Sequence, residues 1–352
     1  MTRHLPLITV SSLKAYRRCP RLYRLRYLDG YRSAADEAEA LRFGTLVHRG
    51  LEAWFRAAQQ GVDGDDRLAR CLAALTADGG AVDPFDLARA TELLTGYHYR
   101  WEAEPLEVLA VEAEFRAPLI NPDTGAPSRT WRLGGKLDAI VRTVDGRVLI
   151  VEHKTSSSDI TTGSDYWRQL RMDGQVSAYY VGAAALGYDV AGCLYDVLAK
   201  PASKPLKATP PEVRKYTKTG ALYANQRDTD EAPGEYQARL REAIATEPHR
   251  YYARGEVVRL DAEMAEHRAD VWQVAHTIRA GQVRGVAPRN PDACMAFNRC
   301  CEYWPVCTGE ASLDDAGRYR RVENVHPELA PDEAPLPKEE ASDHGNNDIP
   351  AT

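Results

Sequence analysis

The stretch WRLGGKLDAIVRTVDGRVLIVEHKT, residues 131–155, decides the architecture. It reads as two β-rich runs around Asp145-Gly146, the strongest short-range hairpin signal in the chain. Loop length then sets which side chains meet. A two-residue turn would put Asp138 opposite His153 and away from Glu152, whereas a three-residue loop ending in a left-handed Gly146 puts Asp138 directly across from Glu152. We expect the second register, and with it Lys154 on the face of Glu152, because side chains alternate along a strand. Two carboxylates about 4 Å apart repel by roughly 4 kcal/mol at an effective dielectric of 20. Such a pair calls for a cation, and oxygen ligands with open positions suit Mg2+ or Mn2+, which can hold a phosphate oxygen and lower the pKa of bound water. A nearby ammonium can orient that water or stabilise charge growing on phosphorus. Together these parts describe phosphodiester hydrolysis.

On either side of the hairpin the pattern changes period. LEVLAVEAEFRAPL alternates, which puts Leu109, Val111, Ala113 and Phe115 on one face of a strand and Glu112 and Glu114 on the other. Upstream, Ser11 or Ser12 can cap a first helix to about Arg18, Pro20 can open the next, and helices are expected over 40–60 and from Asp83 to Glu104. Downstream, a helix is expected over 165–186, a strand at AGCLYDVLAK, an irregular insertion after Lys204, and helices over 233–247 and 260–281. Helix, three strands, helix, strand implies an α/β fold with a central mixed sheet flanked by helices.

The chain has 352 residues and a net charge of −6, which at first sight argues against nucleic acid. Position reverses that. Residues 322–352 carry eight acids and one lysine, which leaves 43 acids and 44 Lys+Arg in the body. The Pro-rich, aromatic-free segment 321–352 has the composition of a disordered acidic tail, so one domain is expected over 1–320. Residues 11–32 hold seven basic residues, one acid and four tyrosines, a stripe that can neutralise phosphates. No apolar run suits a membrane span or a secretory leader, so a cytoplasmic protein is expected, with no membrane partner. In a reducing compartment, the cluster Cys294, Cys300, Cys301 and Cys307 reads as metal or cluster ligands rather than disulfides. It has no CxxC knuckle of the zinc type. Cys71 and Cys193 read as buried apolar residues.

The pieces SSLKAYRRCPRLY, GTLVH, GGKLDAIV, VLIVEHKT, QVSAY and the cysteine segment occur in this order. In that order the chain resembles the PD-(D/E)XK nuclease superfamily, specifically RecB-like exonucleases with an iron–sulfur cluster, from about Ser11 to Cys307. Phage and bacterial proteins of the same family as the CRISPR-adaptation nuclease look most similar. The resemblance implies a restriction-endonuclease-like core with Asp138 and Glu152 as Mg2+ or Mn2+ ligands and Lys154 as the catalytic lysine. It implies His48 as a further ligand in the catalytic set and the main-chain carbonyl of His153 as another, with the His153 side chain pointing away. Gln175 and Tyr179 match the QxxxY helix that meets DNA, Arg17 and Arg18 belong to the basic path, and Glu112 matches an acidic position beside the site. The family holds a [4Fe-4S] cluster with one N-terminal and three C-terminal cysteines, here Cys19, Cys294, Cys301 and Cys307. Adjacent Cys300 and Cys301 can scarcely both serve, so Cys300 stands as the alternative to Cys301. That cluster would close the helical region with a clasp joining the two ends of the domain.

The function implied is a metal-dependent exonuclease acting on linear or single-stranded DNA in recombination, repair or phage DNA metabolism. The alternative is a non-catalytic DNA-binding adaptor of a helicase–nuclease or recombination complex. No GxxxxGK[ST] occurs, so any unwinding needs a separate helicase. A helicase or a single-strand annealing protein is the expected protein partner.

Overall fold

Period-two patterning becomes sheet and period-3.6 patterning becomes helix along most of the chain. The computed structural model describes residues 5–34, 39–77, 79, 82–296 and 299–330. The first part contains β1 (Leu7–Ile8), α1 (Val10–Arg18), α2 (Pro20–Tyr23), which runs on as a π-turn over Arg24–Leu28, and β2 (Tyr31–Ser33). Next come α3 (Glu39–Gln59), α4 (Gly64–Ala73), α5 (Pro84–Trp101), β3 (Glu107–Ile120), β4 (Pro127–Arg142) and β5 (Val148–Ser156). Then follow α6 (Asp165–Leu170), α7 (Gly174–Ala185), β6 (Gly192–Ala199), α8 (Pro233–Thr246), β7 (Tyr252–Val257) and α9 (Asp261–Arg284). The chain continues with β8 (Met295–Ala296), β9 (Arg299–Cys300), α10 (Trp304–Thr308) and β10 (Tyr319–Arg321).

The main sheet has six strands, with β4 at its heart. Antiparallel β3 lines one side of β4, and parallel β1 and antiparallel β5 share the other. β6 continues parallel to β5, and β7 closes the order antiparallel to β6. The expected mixed sheet is therefore observed. One face buries Phe43, Val47, Leu51 and Phe55 of α3 and Leu93, Leu94 and Tyr97 of α5. The other buries Val176, Ala178 and Ala183 of α7 with Val271, Ala275 and Ile278 of α9. No helix among the described residues is long and apolar enough to cross a membrane.

Several expectations need correction. α1 is capped by Thr9 rather than by Ser11 or Ser12: the Ser12 N–H donates to Thr9 Oγ1 at 3.2 Å and the Thr9 N–H to Ser12 Oγ at 2.9 Å. The helix expected over 165–186 is two helices, because the Asp173 carboxylate accepts from the Gln175 N–H at 2.9 Å and starts α7 afresh. β7 has no counterpart in the sequence reading, since Gly255 interrupts a short alternation. A side chain there would strike the Trp167 ring, 2.5 Å from an ideal Cβ. β3 does not keep one apolar face either. A bulge between Val108 and Ala110, and Glu112 at φ 51°, turn Val111 toward α3 while Ala113 and Phe115 face α7.

The packed chain also continues past the expected domain boundary at 320. β10 pairs with β2, and the Val322 N–H donates to the Gly30 carbonyl at 2.8 Å. Leu329 is buried, while residues 331–352, the rest of the expected tail, lie outside the described residues.

Candidate active site

Thr143 and Arg147 close the hairpin with a 2.9 Å main-chain hydrogen bond, and Gly146 sits at φ 84°. The three-residue loop fixes Ala139 opposite Val151 and Arg142 opposite Val148. By continuation of that ladder Asp138 stands across from Glu152, the register expected from the turn. Asp138 Oδ2 accepts the His153 N–H at 2.8 Å, which ties the carboxylate to β5 itself. Lys154 donates to Glu152 Oε1 in a short contact and lies 3.4 Å from Gln175 Oε1. Gln175 Nε2 also donates to Glu152 Oε1 at 2.9 Å and meets the Tyr179 hydroxyl, so the two residues four apart on α7 act on one face.

His48 arrives from the opposite side on α3, which comes close to β5 at Gly44. An ideal Cβ at that glycine would stand 3.3 Å from Thr155 Oγ1. His48 Nδ1 lies 3.8 Å from Asp138 Oδ2. Burial, then the fields of His153 and Lys154, push the His48 pKa down to about 3, against a hydrogen bond to the His153 main chain that pulls it up. The imidazole is therefore neutral, the form that binds metals. Burial first and Glu152 second raise the Asp138 pKa to about 7. For Lys154, burial works against the charge, but Glu152 and Asp138 outweigh it and hold the pKa above its ordinary value.

Glu152 is 2% exposed, and its Oε2 is buried with no hydrogen-bond partner among the described residues. An orphaned anionic oxygen of this kind is costly unless a cation meets it. Two carboxylates, a neutral imidazole and a nearby main-chain carbonyl are a donor set that fits a hard divalent ion. Among the described residues, however, no three His, Cys, Asp or Glu side chains stand together closely enough to form a finished cage. In this arrangement the Lys154 ammonium occupies the cationic place beside Glu152.

The His153 side chain points away, as expected. It packs on Phe55, with ring centroids 4.8 Å apart, and its Nδ1 lies 3.2 Å from Asp196 Oδ2. Asp196 is 1% exposed and also accepts from Tyr97 and from Arg254, at 2.9 Å to the Nε of the latter. Burial would raise the Asp196 pKa, but Arg254 and His153 hold it well below the usual carboxylate range. This buried network backs the strand that carries Glu152 and Lys154, and nothing in the sequence pattern announced it. Lys136, which pairs with Glu112 beside Asp138, goes unassigned in the sequence reading, although it lies two residues before Asp138 in GGKLD and so shares its face. Asp173 joins Lys14 of α1 to the start of α7 at 3.0 Å.

The basic pair is placed less directly. Arg18 donates to the Ala293 carbonyl at 3.2 Å, and Arg17 lies 3.8 Å from Asp270 of α9. Both guanidiniums therefore join α1 to C-terminal elements rather than to the carboxylates. Cys19, Cys294, Cys301 and Cys307 line one small cavity with Leu22, Tyr303 and Trp304, whereas Cys300 is exposed and outside it. No cluster-forming group with ligand spacing is present there among the described residues. The N- and C-terminal segments are nevertheless joined: the Tyr303 hydroxyl donates to the Tyr31 carbonyl at 2.7 Å and Arg26 pairs with Glu302 at 2.7 Å. Cys71 and Cys193 are fully buried, as expected.

A family model described as the PD-(D/E)XK nuclease superfamily matches residues 7–308. No curated protein matches the chain. Among solved structures, a presumed exonuclease from Eubacterium rectale is similar at 12% identity and a TM-score of 0.44, covering 87% of this chain and 89% of that one. The protein described as SSO0001 is similar at 15% identity and a TM-score of 0.33, covering 80% of this chain and 79% of that one. At these scores neither likeness carries weight beside the family match.

Proposed function

Given that the chain belongs to the PD-(D/E)XK nuclease superfamily, we propose that it is a metal-dependent exonuclease hydrolysing phosphodiester bonds of linear or single-stranded DNA. The observation that carries this reading is the placing of Asp138 across from Glu152 with Lys154 on the same face. Mg2+ or Mn2+ would be held by Asp138, Glu152, His48 and the His153 carbonyl, and would supply a polarised phosphate oxygen and an acidified water. Lys154, kept charged by its two carboxylate neighbours, is a stabiliser of phosphoryl charge and a water-orienting group rather than a base. Gln175 fixes the Glu152 carboxylate, and Tyr179 supports Gln175. The surroundings proposed are DNA recombination, repair or phage DNA metabolism in the cytoplasm, with a helicase or annealing protein as partner.

Lys154→Ala should abolish Mn2+-dependent degradation of end-labelled linear DNA while leaving DNA affinity in EDTA largely intact. Undiminished degradation by this variant would sink the assignment. A [4Fe-4S] cluster on Cys19, Cys294, Cys301 and Cys307 belongs to the same proposal, supported by the cavity these four share and by the exposure of Cys300. Anaerobically purified protein should then be brown. Cys301→Ser should bleach it and Cys300→Ser should not; a colourless protein with stoichiometric zinc would contradict the cluster.

A further inference from the structure

The irregular segment after β6 is built around an exposed finger. It leaves the sheet where the Lys200 N–H donates to the Ser156 carbonyl at 2.7 Å, at the end of β5 and two residues beyond Lys154. Its base is tied down. Glu231 is 4% exposed and accepts from the Leu206 N–H at 2.8 Å and from Arg239 of α8 through both oxygens, at 2.8 Å each. Thr209 and Arg227 pair across the base at 2.8 Å, and Arg214 caps the Thr209 carbonyl at 2.8 Å.

Above this base the chain forms a small antiparallel hairpin. The Tyr223 N–H donates to the Lys215 carbonyl at 3.1 Å, Tyr216 bridges Leu222, the Thr217 N–H donates to the Ala221 carbonyl at 2.8 Å, and Gly220 turns the tip at φ 81°. Tyr216 is 55% exposed and Tyr223 45%. Residues 213–227 contain Arg214, Lys215, Lys218 and Arg227 and no acid. Arg214 and Arg227 are engaged within the base and with Glu235, whereas the ammonium groups of Lys215 and Lys218 have no partner among the described residues. A firmly anchored support thus presents two ammoniums and two phenol rings to solvent, with no carboxylate at the tip to compete.

We propose that this finger is a second contact for single-stranded nucleic acid, outside the catalytic centre: Lys215 and Lys218 meet phosphates, and Tyr216 and Tyr223, on opposite faces of the hairpin, offer stacking platforms for bases. Ammonium groups interleaved with exposed aromatic rings are the combination that holds a single strand without reading its sequence. The inference rests on the nuclease reading for its ligand and deepens it, because the segment that carries the finger leaves the sheet at Ser156, two residues beyond Lys154.

The test uses the full chain in EDTA, a labelled oligothymidylate and a duplex of equal length, with Lys215→Ala/Lys218→Ala and Tyr216→Ala/Tyr223→Ala as variants. All four side chains are exposed, so both variants should melt with the wild type. The lysine pair should lower the slope of log affinity against log salt for the single strand by about 1.4, at about 0.7 per phosphate contact. The tyrosine pair should weaken single-strand binding by roughly 30-fold or more at every salt concentration, at about 1 kcal/mol or more per stacked base. Unchanged single-strand affinity in both variants, or a loss confined to the duplex, overturns the finger. Mn2+-dependent hydrolysis of bis(p-nitrophenyl) phosphate, which is too small to reach the finger, is read in parallel. If wild type lacks that hydrolysis while the binding changes hold, the nuclease reading fails and the finger stands.

Discussion

His267 on α9 lies against Gly174, with its Nε2 buried and without a partner among the described residues. Burial, and then Arg17, push its pKa down to about 4; Asp270 opposes this, and Arg259 and Arg268 add to the lowering. In the unfolded chain it would titrate near 6.5, so between about 6.5 and 4 the unfolded state binds more protons than the folded one. This group therefore leaves stability intact above about 6.5 and removes it as pH falls toward 4. His267→Gln should flatten that limb of a melting-temperature profile and change little at pH 8; a parallel loss at all pH values would show packing alone. At this scale the sequence was legible where one local rule decides the outcome. Gly146 set the Asp138–Glu152 register, and helical spacing put Gln175 and Tyr179 together. Asp196 and Arg254 were not legible, because their meeting with His153 depends on strand order across the sheet.

Elements are positioned by close approaches that only glycine permits. The Phe115 ring lies between Gly135 of β4 and Gly182 of α7; ideal Cβ atoms there would stand 2.7 and 2.4 Å from it. This packing seats α7, and with it Gln175, on the sheet. Gly182→Ala should lift α7 and destabilise the protein by about 1–3 kcal/mol, the usual penalty of overpacking. Melting temperature and nuclease activity should fall together, with partial recovery on adding Phe115→Leu; an unchanged melting temperature would remove Phe115 as the spacer. Glycine in a strand or helix shows in the sequence, but the ring that fills its space does not. The same limit explains β7, where Gly255 makes room for Trp167, and the break between α6 and α7, where a capping Asp173 lies inside an otherwise continuous helical pattern.

At the scale of the whole molecule, acidic composition is a poor guide to where folding stops. Segment 322–330 shares its composition with the chain beyond it, yet it is held at several points by residues distant in sequence. Arg32 donates to the Val325 carbonyl at 2.9 Å, the His326 ring lies 5.4 Å from Tyr27, and Leu329 approaches β4 at Gly134. The Ala330 N–H donates to Glu114 at 2.8 Å, and Arg116 to its carbonyl at 2.7 Å. Partners nearly 200 or more residues apart leave no local signature, so composition alone places the boundary at 320 too early. A chain ending at Ala330 should melt like the 352-residue chain, because every contact named here is kept. A chain ending at Arg318 loses β10 and the buried Tyr319 and Leu329, each 4% exposed. Burying two such side chains is worth about 1.5–3 kcal/mol apiece, so the shorter chain should be weaker by roughly 3–6 kcal/mol in urea unfolding. The loss should centre on the segment around β2 and the cysteine cavity, since Tyr319 packs on Tyr303 and its hydroxyl donates to the Glu302 carbonyl at 2.9 Å. Equal midpoints for the two truncations would mean that the last strand decorates the fold rather than closing it.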